Sequence, residues 1–193
     1  MIRQLHQPEE KQAVARAVLE ALPEWFGIPE AREDYIRRSA AQPCFAAYEE
    51  GTPVGFLYLE ETGRATVEVY VMGVVKRCHH QGIGTALFLA AKAWAAEQGY
   101  SFMQVKTVQE GRYPEYDATN AFYRHLGFQE FEVFPTLWDE WNPCQVYVMA
   151  IRGHAKGTAA SSATVPFYVL TSPPAPASGR WCRPGQCRSR PGC

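Results

Sequence analysis

Long apolar runs are missing from this chain, and none approaches the roughly 20 residues that a membrane-crossing helix needs. The first residues are polar with scattered charge, unlike a secretory leader, so a cytoplasmic protein is expected. A dominant charge is missing too. The 19 Lys and Arg against 20 Asp and Glu give a net charge of −1, which speaks against nucleic acid or a membrane surface as partner. Cysteine is sparse in residues 1–152, where Cys44, Cys78 and Cys144 are widely spaced and fit no metal pattern. They read as free thiols in a reducing compartment, and no metal is expected. Two phosphate-binding patterns are also absent. No Gly-Lys-Ser or Gly-Lys-Thr occurs, which excludes a P-loop. Gly82 and Gly84 are followed by Leu87 where a dinucleotide fold needs a third glycine, and no acid follows a second strand at the right distance.

What is present is apolar content of 47% over 193 residues, enough for one domain with a core. The chain is organised around residues 74–87. Residues 65–75, rich in Val and Tyr, read as a buried strand. Ile83, Leu87, Ala90, Ala91 and Trp94 then recur at helical spacing, and Gly99 stands where a helix C-cap belongs. Between strand and helix lies a loop with two glycines. Its backbone amides and the helix N-terminus form a ready anion site, because orphan N–H groups and the helix dipole both favour negative charge.

His79-His80-Gln81-Gly82-Ile83-Gly84 resembles the pyrophosphate loop of the GNAT acetyltransferases, [RQ]-x-x-G-x-[GA], with His79 where the family usually has Arg or Gln. Residues 118–128, with Asn120, Tyr123, Gly127 and Phe128, resemble the family's later motif, a short helix ending in Tyr-x-x-x-Gly-Phe. The two motifs stand in the family's order, with one strand, 102–108, between them. The resemblance covers about residues 68–151. It implies an α/β (α+β) fold: a mixed, mostly antiparallel sheet with a central, splayed parallel strand pair and helices on both faces. It implies acetyl-CoA as co-substrate and a primary amine of a small molecule or peptide as acceptor, an aminoglycoside or polyamine among them. Val74, Val75, His79, His80, Gln81, Gly82, Ile83, Gly84, Thr85 and Asn120 become the coenzyme-binding residues. Tyr123 becomes the proton donor to the leaving thiolate, and Glu68 the base. Glu68 is a candidate on physical grounds as well, since a lone acid in a buried strand is costly unless it is hydrogen-bonded or functional. Gly73 is well suited to the bulge at the splay.

Residues 2–5 read as a first strand, and Pro8 opens a helix running to about residue 22. Pro29 opens a second helix, with Glu33/Arg37 and Asp34/Arg38 as i,i+4 pairs. Trp25 and Phe26 lie between them, either as a lid over the acceptor or as a hydrophobic plug. Residues 44–49 and 54–60 form a hairpin around residues 50–53. Residues 110–117 read as a polar loop, 118–126 as a short helix, and 129–134 and 145–151 as the last strands. The connection 135–144, with Trp138, Asp139 and Trp141, reads as a long loop serving either acceptor binding or a dimer contact. Trp25, Phe26, Trp138 and Asp139 are the expected acceptor-site residues.

The domain is expected to span residues 1–152. Residues 153–193, dominated by Gly, Ser, Ala and Pro with Cys182, Cys187 and Cys193 near the end, read as a disordered tail. They hold five Lys and Arg and no acid, leaving 14 bases against 20 acids in residues 1–152. That balance favours a cationic acceptor. The other readings are an acyl-CoA-binding module without turnover, kept open by His79, and a nucleotide-binding protein of another class.

Overall fold

Four of the five helices among the described residues begin at a proline, where the fixed φ suits the first turn and the missing N–H would have been unpaired anyway. The structure is a computed structural model, and it describes residues 1–151. The proline-led helices are α1 (Pro8–Glu20), α2 (Pro23–Phe26), α3 (Pro29–Ser39) and α5 (Pro114–His125). The fifth, α4 (Ile83–Glu97), starts instead from Gly82 in the left-handed region. The strands are β1 (Ile2–Leu5), β2 (Cys44–Glu49), β3 (Thr52–Gly63), β4 (Thr66–Val74), β5 (Phe102–Val108), β6 (Gln129–Asp139) and β7 (Asn142–Ala150). They form one seven-stranded sheet in the order β1-β2-β3-β4-β5-β7-β6. Only β4 and β5 pair in parallel, and α4 is the crossover between them. This is the expected mixed sheet.

Both faces of the sheet are covered. Leu87, Phe88, Ala91 and Ala95 of α4 bury themselves with Tyr123 and Phe128 against one face. Val14, Val18 and Leu19 of α1 and Ile36 of α3 pack against Phe56, Tyr58 and Val71 on the other. Cys44, Cys78 and Cys144 are buried thiols outside any disulfide among the described residues. Among the described residues no helix is long and apolar enough to cross a membrane.

Five expectations are corrected. The hairpin strand β3 is longer than the expected 54–60, and its turn with β2 narrows to Glu50 and Gly51, both at positive φ. Gly73 is not the bulge: it pairs with Phe56, and the register shift leaves Tyr70 as the extra residue. A Cβ on Gly73 would come within 2.9 Å of Leu22, so glycine there admits the end of α1 onto the sheet. Helix α5 starts four residues before the expected 118, because Pro114 serves as its first residue. The expected loop 135–144 is mostly strand. Pro135 is tolerated because β6 is an edge strand with a register irregularity at that point. Finally, Glu33 pairs with Arg16 of α1 rather than Arg37, while Asp34 lies 3.8 Å from Arg38. The expected tail, with its three cysteines, lies outside the described residues.

Candidate active site

The parallel pair β4 and β5 is joined only from Thr66–Phe102 to Glu68–Gln104. Beyond Glu68 the strands part, while β5 stays paired with β7 to its end. The bulge at Tyr70 begins where they part, since an extra residue twists β4 away from its neighbour. A cavity of about 520 Å³ occupies the opening. Residues 69–74 of β4, Lys106 and Thr107 of β5, and Phe122 and Tyr123 of α5 line it.

One end of the cavity is built by backbone. After β4, a single 3-10 turn at Lys76–Cys78 leads into residues 79–82. His80 and Gly82 take positive φ, 59° and 78°, which turns the chain into α4. No side chain caps α4, so the first-turn amides of Ile83, Gly84 and Thr85 have no capping partner. Gly84 is needed for close approach, because a Cβ there would lie 3.1 Å from the Phe122 ring and 3.3 Å from Met72. His79 is tied to the strand end by its Nε2, 2.7 Å from the Val74 carbonyl. Its ring lies against Trp25 at 6.3 Å. Lys76–Glu24 and Arg77–Glu49 ion pairs fasten the same turn to α2 and β2.

Of the residues expected here, Val74, His79, His80, Gly82, Ile83 and Gly84 line the cavity, and Val75, Gln81, Thr85 and Asn120 do not. The Val75 N–H donates to the Val54 carbonyl at 2.9 Å, so it is not free to polarise a bound carbonyl. Strand alternation turns the preceding Val74 N–H the opposite way. Gln81 is exposed and donates to the Arg77 carbonyl. Asn120 is fully buried. Its amide donates to the carbonyls of Val108 and Tyr116, and its oxygen accepts from Tyr147 at 2.7 Å. It pins α5 to the sheet, which corrects its assignment to coenzyme binding.

Tyr123 and Glu68 meet at the parting of the strands. Tyr123 is 8% exposed and lines the cavity. Burial pushes its phenol pKa well above the ordinary value, and the Glu68 charge pushes the same way, so the phenol stays protonated. Glu68 is 1% exposed and does not line the cavity. Its carboxylate forms an ion pair with Lys106 and accepts from Gln104 Nε2 at 3.1 Å. Lys106 does line the cavity.

The other end is built by side chains. Phe26 and Trp138 line it, and Trp25 lines the cavity between the two ends, against His79. Asp139 does not. Its carboxylate accepts from the Trp141 and Asn142 amides and so closes the β6–β7 turn. Tyr35 and Tyr70 continue the aromatic wall from Phe26, edge to face at 5.9 and 6.2 Å. Arg32, Lys106 and Glu115 are the lysine, arginine and acid groups among the described lining residues, so the cavity is not acidic. Among the described residues no cluster of three or more His, Cys, Asp or Glu is placed to hold a metal ion.

The model of the acetyltransferase (GNAT) domain matches residues 39–130. The chain carries a GNAT acetyltransferase domain. No curated protein sequence matches it. Solved structures share its fold at low identity. A GNAT-family protein from Desulfovibrio desulfuricans superposes with a TM-score of 0.67 at 18% identity, over 78% of this chain and 98% of that one. An aminoglycoside 6′-N-acetyltransferase solved with coenzyme A gives 0.63 at 16%, over 78% and 97%. A ribosomal-protein-alanine N-acetyltransferase from Brucella melitensis gives 0.60 at 18%, over 78% and 99%.

Sequence reasoning missed Arg32, Tyr35, Tyr70, Lys106 and Thr107 in this GNAT domain. Lys106 had a signal, since a lysine inside an apolar strand needs a buried partner and Glu68 offered one. Arg32 had none: it is one of several charges on a helix.

Proposed function

We infer that this protein is an acetyl-CoA-dependent N-acetyltransferase acting on a primary amine by direct attack, with residues 1–152 as its catalytic domain. The observation that carries this reading is the cavity itself. It runs unbroken from the uncapped start of α4 into the gap between β4 and β5. The first-turn amides of Ile83, Gly84 and Thr85 suit a pyrophosphate. The Val74 N–H suits the thioester carbonyl, where it would stabilise the developing oxyanion. When the amine attacks, a C–N bond forms and the C–S bond breaks. Tyr123 then donates its proton to the departing thiolate. The attacking amine gives up a proton to Lys106 as Lys106 passes its own to the shielded Glu68 carboxylate, so the amide leaves neutral and the coenzyme leaves as the thiol. The acceptor amine lies on the aromatic side, against Trp25, Phe26 and Trp138.

The test is thiol release from acetyl-CoA over a panel of primary amines, run beside calorimetry with acetyl-CoA alone. Binding with amine-dependent thiol release is expected. Binding without release from any amine would leave a coenzyme-binding module.

A further inference from the structure

We propose that the acceptor amine also carries a carboxylate, and that Arg32 binds it. This rests on the transferase reading and names the acceptor's class. Most arginines of the described residues either stand in solvent or hold an acid. Arg3 pairs with Glu10, Arg16 with Glu33, Arg38 with Glu60, Arg77 with Glu49 and Arg124 with Glu110. Arg37 pairs with Asp34, and Arg64 and Arg112 are exposed. Arg32 does neither. It is half-buried and lines the cavity, and its Nε is buried without a hydrogen-bond partner. One Nη donates weakly to the Phe26 carbonyl at 3.4 Å. The acid that feels its charge is Glu33, whose two oxygens are both taken by Arg16 at 2.6 and 2.7 Å. Residues 153–193 contain no Asp or Glu to supply a partner. A half-buried guanidinium left open is costly, and its planar fork matches a carboxylate.

Position separates this group from the coenzyme end. Arg32 precedes Tyr35 by three residues on α3, just under one helical turn, and the Tyr35 ring meets Tyr70 at 6.2 Å. Tyr70 lies four residues, or roughly 13 Å of strand, before Val74 and the loop that follows it. The guanidinium therefore serves the aromatic end, where Phe26 and Tyr35 offer an apolar wall beside it. Thr107 adds a second donor in search of a partner, since its buried hydroxyl lines the same cavity without a hydrogen bond. The acidic balance of residues 1–152 had favoured a polyamine. The cavity reverses that expectation, because its lining offers Arg32 and Lys106 against Glu115.

The test compares amino acids and dipeptides with their own C-terminal amides, using phenylalanine and methionine as the amine-bearing residues. Each pair differs only in the carboxylate, and the amide has the more easily deprotonated amine. A preference for the acid would therefore run against intrinsic reactivity. Thiol release is measured for the parent and for Arg32→Gln and Arg32→Lys, and acceptor binding is measured by calorimetry with coenzyme A present. The parent is expected to prefer the acids. Arg32→Gln should raise KM for the acids roughly ten- to hundredfold, the scale of a charge-assisted pair. The preference for acids over amides should collapse, affinity for acetyl-CoA should stay near that of the parent, and Arg32→Lys should fall between. A parent that prefers the amides, or spermidine, overturns the proposal. So does Arg32→Gln weakening acids and amides alike, or weakening acetyl-CoA binding. Acids that bind in an Arg32-dependent way without any thiol release would uphold the carboxylate site and sink the transferase reading instead.

Discussion

The two ends of the cavity are built from different materials. At the α4 end the proposed partners of a ligand are backbone amides, and the residues that matter are those that let the backbone take its path: Gly82 at φ 78° and Gly84 beneath Phe122. At the α2–α3 end the proposed partners are side chains: Phe26, Arg32 and Tyr35, with Lys106 facing them from β5. The difference teaches where specificity can change. A backbone site tolerates exchange of its side chains, so His79 can stand in the loop and still serve by holding Val74. A side-chain site is rewritten by any substitution.

The largest effect is expected at the boundary between the two ends. Tyr123→Phe keeps the ring in its packed place and removes the proton. Steady-state kinetics should show kcat lowered by about 10²–10⁴-fold with acetyl-CoA affinity retained. Because burial favours the neutral phenol, its pKa moves up, and the parent should lose no activity from Tyr123 ionisation at neutral or mildly alkaline pH. A variant with unchanged kcat across pH would mean the thiolate leaves unaided.

A smaller effect separates the ends by stability. Lys106→Met removes the ion-pair partner of the buried Glu68 carboxylate and leaves the bond from Gln104 in place. Breaking a buried pair from one side costs on the order of 3–5 kcal/mol. Thermal unfolding should register most of it, and the acceptor KM should rise more than that for acetyl-CoA. An equal loss for both substrates would break the distinction between the ends.

The smallest effect is expected from Asn120→Ala. It removes the side-chain donor to the Val108 carbonyl and the acceptor of the Tyr147 hydroxyl proton, while the Tyr116 carbonyl keeps its helical backbone partner. Denaturant unfolding should show a loss of about 1–3 kcal/mol, the cost of buried polar groups without partners. Acetyl-CoA affinity should stay near that of the parent. A specific loss of coenzyme binding in a stably folded variant would restore Asn120 to the coenzyme site.

Much of the α4 end was legible in sequence, for a physical reason. Gly82 and Gly84 hold their spacing because the backbone path demands it, and Tyr123 stands a fixed distance before Gly127, which ends α5 at φ 93°. Strand and helix order followed from periodicity and from prolines at helix starts. The rest depended on pairings that no spacing records. Tyr70 became the bulge only through the register of β3 on β4, and Gly73 was spared that role. Asp139 looked like a substrate acid and is a turn cap, which required knowing that β6 runs through Pro135. Arg32 could be told from its helical neighbours only by finding that each of theirs is paired and its own is not.

The central claim is that the glycine path between β4 and α4 holds acetyl-CoA through backbone amides. Calorimetric titration of acetyl-CoA into the parent, Gly82→Val and Gly84→Val tests it most directly. Valine at 82 would be forced into the left-handed region, and valine at 84 would press on Phe122. Affinity should fall by about tenfold or more in each variant, the scale of lost charge-assisted hydrogen bonds. Parent-like affinity in both variants would contradict the account and place the coenzyme elsewhere.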